Sequence, residues 1–134
     1  MQKIAETEYY VIAVDEKKNR AYLTLRKFWA KPEGYQNYID DWKKAYQILK
    51  RGFTVCADMR EASTFPPHAQ QMHEAAQKTV KEAGILVVAE VLSKDQILAM
   101  QVKLIDHRAE LPKNRFASIE EAEQWLDAAV LAGN

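Results

Sequence analysis

The chain has 134 residues, 48% of them hydrophobic and 28% charged, which is the composition and length of one ordinary globular domain spanning 1–134. Lys+Arg and Asp+Glu balance at 19 each, so a general electrostatic grip on nucleic acid or on an anionic membrane is not expected. No run reaches the ~18 apolar residues of a membrane span and the N-terminus lacks a signal-peptide core, so a cytoplasmic location is expected.

Residues 8–14 (EYYVIAV) are β-prone and almost wholly apolar, which predicts a strand. A polar break at 15–19 separates it from 20–26, where Ala21, Leu23 and Leu25 alternate with Tyr22, Thr24 and Arg26. The two runs predict a β-hairpin, with Ile4 in an ill-defined lead-in. Phe28 and Trp29 follow, then a loop punctuated by Pro32 and Gly34. Tyr35, Tyr38, Ile39, Trp42, Ala45, Tyr46 and Leu49 fall at three- and four-residue spacings, which predicts an amphipathic helix over 35–50. Gly52 lies just past its basic end, the place of a C-terminal cap.

Residues 53–58 (FTVCAD) predict a central strand that holds Cys56, the single cysteine. One cysteine forms no intrachain disulfide, and this one reads as a small buried hydrophobe. A polar loop with Arg60, Glu61, Ser63 and Thr64 is expected next. Pro66 and Pro67 then suit the first turn of a helix, where N–H groups lack partners anyway. Ala69, Met72, Ala76, Val80 and Ala83 mark its buried stripe, and Gly84 ends it. The run 85–91 (ILVVAEV) predicts a strand covered on both faces. Ser93 with Gln96 forms a capping box for a third helix whose stripe is Ile97, Met100, Leu104 and Ile105. Residues 115–117 predict a short last strand. Ser118 with Glu121 caps a final helix carrying Ala122, Trp125, Leu126, Ala129 and Val130.

Strands alternating with helices after a hairpin are the mark of parallel βαβ units. The expected fold is α/β, a single mixed sheet of four to five strands flanked by four helices. This order, with the closing stretch Arg115-Phe-Ala-Ser-Ile-Glu-Glu-Ala-Glu-Gln-Trp-Leu126, resembles STAS domains of the SpoIIAA-like superfamily, above all the stand-alone bacterial STAS-like proteins. The resemblance implies a non-enzymatic regulatory or protein-interaction module. In the family's anti-sigma factor antagonists a strand ends in an Asp-Ser pair followed by Ser-Gly, and the serine at a helix N-terminus is phosphorylated. Here Asp58 takes the aspartate's place, Met59 follows it, and no Ser-Gly is present; Ser63 and Thr64 are the nearest hydroxyls. CRAL-TRIO lipid-transfer domains share the general architecture.

If the strands ending near 26, 58 and 91 run parallel, their C-terminal ends share one rim. Asp58, Arg60, Ser63, Thr64 and Lys94 would meet there beside two helix N-termini, a candidate site for an anion or a protein partner. The plainer reading is that Ser63 or Thr64 caps the helix while Arg60 and Glu61 face water. Phe28, Trp29, Tyr35, Tyr38 and Trp42 are the candidate lining for a small amphipathic ligand such as a fatty acid, or a hydrophobic contact; the alternative is plain core. His68 and His73, five residues apart, sit about 140° apart on a helix and share no face. His107 stands in a charged stretch. No metal site, cofactor motif or catalytic constellation is read from the chain, so no enzyme activity is expected. The N-terminal hairpin offers a free strand edge on which a homodimer could form.

Overall fold

The computed structural model describes residues 1–92 and 96–133, with backbone alone at 96, 97 and 106–109. Six strands form one sheet: β1 (Gln2–Glu6), β2 (Tyr10–Asp15), β3 (Arg20–Lys27), β4 (Thr54–Ala62), β5 (Val87–Val91) and β6 (Lys113–Phe116). The spatial order is the chain order, β1-β2-β3-β4-β5-β6. β1, β2 and β3 pair antiparallel, while β3, β4, β5 and β6 pair parallel. The four helices are α1 (Tyr38–Tyr46), α2 (Pro67–Ala83), α3 (Gln96–Ala109) and α4 (Ile119–Gly133).

The sheet is mixed and α/β, as expected, but has six strands rather than four or five. The addition is β1, whose residues are mostly exposed. A short outer strand with so little burial carries almost no alternation to read. Parallel crossovers are right-handed, and every one here steps to the next strand in the same direction. The linking helices α1, α2 and α3 therefore fall on one face. Trp42 and Ala45, then Ala69, Ala76 and Val80, then Leu98, Val102 and Ile105 pack there in the main core with Val55, Ala57 and Val88. On the opposite face α4 lays Ala122 and Leu126 against Cys56, Ala89 and Val91.

Several boundaries differ from the sequence pattern for physical reasons. β4 runs to Ala62, so Met59 to Ala62 is strand and not loop. β3 continues far enough to pair Arg26 with Glu61 and Lys27 with Ala62, after a register shift following Thr24. α1 is shorter than 35–50. Its approach is a 3-10 turn at Pro32–Gly34, where a Cβ on Gly34 would lie 2.2 Å from the Tyr9 ring. Among the described side chains of α3, Leu98, Val102 and Ile105 are buried, whereas Met100 and Leu104 are exposed; the Ile97 side chain lies outside the described residues. α2 ends at Gly84, whose φ of 98° is the left-handed cap conformation that glycine adopts without a Cβ clash.

Candidate functional site

β3, β4 and β5 are parallel neighbours, so their C-terminal ends form one rim. Asp58 lies on β4 between Thr24 of β3 and Val91 of β5. Two residues on along the same strand, Arg60 turns back onto it. The guanidinium donates from Nε to Asp58 Oδ1 and from Nη2 to Oδ2, both at 2.9 Å, and the Arg60 backbone N–H adds a bond of 3.1 Å to Oδ1. Burial pushes the Asp58 carboxyl up, but the Arg60 hydrogen bonds and charge outweigh it and hold the group below its ordinary range. Arg60 thus serves Asp58 first, and an incoming anion would have to compete with that fork.

Beyond the pair the chain crosses to α2. The Ser63 N–H donates to Lys27 O, which sets Ser63 beside the end of β3. Ser63 and Thr64 are half-buried. Neither caps α2: its N-cap is Pro66, with no side-chain cap bond, and Pro67 opens the first turn. The simple capping role for these hydroxyls is therefore not realised. The loop is fixed from α3 instead. Gln101 accepts from the Phe65 N–H at 2.8 Å and donates back to Phe65 O at 3.2 Å, while Gln70 Nε2 donates to the same carbonyl. Nothing in the sequence around Gln101 announces this role, since its partner lies 36 residues away. Ser93, Lys94 and the side chain of Gln96 lie outside the described residues, and with them the expected capping box.

The five aromatics divide. Phe28 is 48% exposed, next to Lys27 and hence beside Ser63 on the rim. Trp29, Tyr35, Tyr38 and Trp42 are buried. Trp29 donates its Nε1–H to Tyr9 O and packs on Tyr9, Tyr10, Tyr35, Tyr38 and Phe65. Tyr35 is hydrogen-bonded to His68 Nδ1. His73 lies under Trp29 and Phe65, with ring centroids 4.4 and 4.3 Å away. Burial drives its pKa down to about 3. The sequence signal for its burial was its place in the row Ala69, His73, Ala76, Val80, all of which are buried.

Two spaces remain. A cavity of about 60 Å³ lies between the sheet and α2, with Tyr38 and Trp42 in its wall but none of Phe28, Trp29 or Tyr35. That is far below the ~300–1,000 Å³ of drug-sized ligand sites. An open groove of about 830 Å³ runs between α3 and β6, lined by Met100, Leu104, Leu111, Lys103 and Arg115 among others. Among the described residues no cluster of His, Cys, Asp or Glu could hold a metal ion, and no helix is long and apolar enough to cross a membrane. The Cys56 thiol is buried and pushed up to about 11 by that burial, which suits packing and not nucleophilic chemistry.

No protein-family model matches the chain, and no curated protein matches its sequence. Among solved structures the fold is similar to SiaC of Pseudomonas aeruginosa, with a TM-score of 0.58 at 12% identity over 87% of this chain and 100% of that one. At that identity the likeness is one of fold, and it agrees with the single mixed sheet and four helices described above.

Proposed function

We propose that the chain is a non-enzymatic regulatory or protein-interaction module of STAS-like kind, engaging a protein partner through the rim formed by Phe28, Asp58, Arg60, Ser63 and Thr64. The observation that carries this reading is an exposed aromatic, Phe28, one residue on from the Lys27 carbonyl that accepts from the Ser63 N–H, which brings it near half-buried Ser63 and Thr64 where β3 and β4 end. Ligands and partners of α/β sheets favour that edge, and an exposed aromatic among charges is a typical anchor of a protein contact. The fold shared with SiaC and the resemblance to STAS domains support the same class. Ser63 and Thr64 are the hydroxyls a partner kinase would find there.

The test compares wild-type protein with Phe28→Glu and Arg60→Glu after capture from its own cells, read by cross-linking and native mass spectrometry. A partner held by wild type and lost by both variants, with far-UV spectra unchanged, is the expected result. Identical capture by all three removes the rim from the account. The same spectra report phosphate on Ser63 or Thr64 and any homodimer.

A second reading, binding of a small amphipathic molecule such as a fatty acid, is favoured by the groove and not by the buried aromatics. Its volume falls within the ligand range, and Lys103 and Arg115 flank the apolar Met100, Leu104 and Leu111. Displacement of a fluorescent fatty acid that Leu104→Glu abolishes would support it; no binding by wild type would end it.

A further inference from the structure

The small cavity beneath α2 is not lined like a packing defect. Most of its wall is apolar, Leu23, Val55, Val80 and Val88 among it, but His73 and Gln77 of α2, Glu90 of β5 and Lys113 of β6 also line it. Cavities that stay empty are apolar, whereas polar ones of sufficient size hold water. At about 60 Å³ this one is large enough to hold water. His73 strengthens the case. The residue is 6% exposed, and its Nε2 has no hydrogen-bond partner among the described residues. The ring also packs against the rings of Trp29, Tyr38 and Phe65. The cavity is the neighbouring space from which a partner can come.

The cavity also adjoins the open groove. The cavity and the open groove share two lining residues, Leu111 and Lys113. Leu111 belongs to the link between α3 and β6, and Pro112 follows it. One short stretch of chain thus separates the interior space from solvent.

We propose that the cavity is a hydrated binding site for a small uncharged molecule that both donates and accepts hydrogen bonds, with water as its resident occupant, His73 as a recognition group and Leu111 as the door. A net charge on the guest would be costly in so enclosed a space, which is why the class is uncharged.

The experiment is methyl-detected NMR on the full chain, with water, formamide and xenon as probes. The expected result is water cross-peaks to the Ala76 and Val88 methyls and saturable formamide shifts at the same methyls. The His73 Nε2 nitrogen resonance should move with them. His73→Leu should weaken formamide binding about tenfold, the equivalent of one hydrogen bond. Leu111→Trp leaves the polar lining intact and should slow entry, which keeps the test available if the first variant folds poorly. Xenon shifts at these methyls without water cross-peaks would show a dry cavity and overturn the proposal. Formamide shifts that are linear, or formamide exchange at the same rate in wild type and Leu111→Trp, would overturn it too.

Discussion

Burial keeps the His73 imidazole neutral, with its pKa near 3 against about 6.5 in an unfolded chain. The unfolded state therefore takes up the proton first, and stability is full above pH 6.5 and falls as pH drops from there towards 3. Each pH unit in that window costs about 1.4 kcal/mol, or about 2 kcal/mol between pH 7 and pH 5. Urea denaturation at the two pH values should show that loss in wild type and not in His73→Phe; equal losses would mean the ring is not buried neutral. A second residue-scale prediction concerns Tyr10, which donates its hydroxyl at 2.5 Å to Asp41, a carboxylate 6% exposed on the inner face of α1. Tyr10→Phe should cost about 2 kcal/mol because it strips a buried charged acceptor of a donor, with the loss read from the denaturation midpoint. Neither interaction was legible in the sequence. The expected stripe of α2 runs through Met72, which is half-buried, and passes over His73, which is buried; nothing local to Asp41 names a partner on a strand 31 residues earlier.

At the scale of elements, spacing performed well where one face alone is buried and poorly where both faces carry apolar side chains. α4 shows the first case, with Ala122 and Leu126 buried and Ser118 Oγ accepting from the Glu121 N–H as the capping pattern predicts. α3 shows the second. Met100 and Leu104 read as part of the inner stripe, yet they form a wall of the groove while Leu98, Val102 and Ile105 lie in the core. Ion pairing also escapes spacing. Arg20 is buried at the start of β3, donates to Thr54 Oγ1, and reaches Glu123 at 3.2 Å and Asp127 at 3.0 Å on α4. It ties α4 to the sheet. Arg20→Met should destabilise the fold by about 2 kcal/mol, less than a fully buried pair would, because Asp127 stays half in water. Hydrogen exchange should then show α4 amides losing protection before those of α2. Uniform loss across both helices would contradict the tie.

For the molecule as a whole, alternation of strand and helix gave the fold class, and the strand count fell short because an edge strand needs no inner face. β1 is that edge. Its register shifts between Lys3 and Ala5, and Lys3 pairs with Glu6 at 2.5 Å. Bulges and charges are the devices that keep an outer strand from pairing with another chain. Lys3→Val with Glu6→Val should therefore raise self-association, measured by sedimentation velocity at fixed concentration. An unchanged distribution would show that these charges do not protect the edge.

The strict chain order of the sheet also bears on synthesis. Every strand emerges from the ribosome after the neighbour it must pair with, so the sheet can grow as fast as it is translated, without waiting for distant segments. The sheet face opposite α1, α2 and α3 follows a different schedule. Cys56, Ala89 and Val91 are covered by α4, the last 15-residue helix of the chain. Until translation reaches that helix, the nascent sheet presents a bare apolar face, the kind of surface that ribosome-bound chaperones hold.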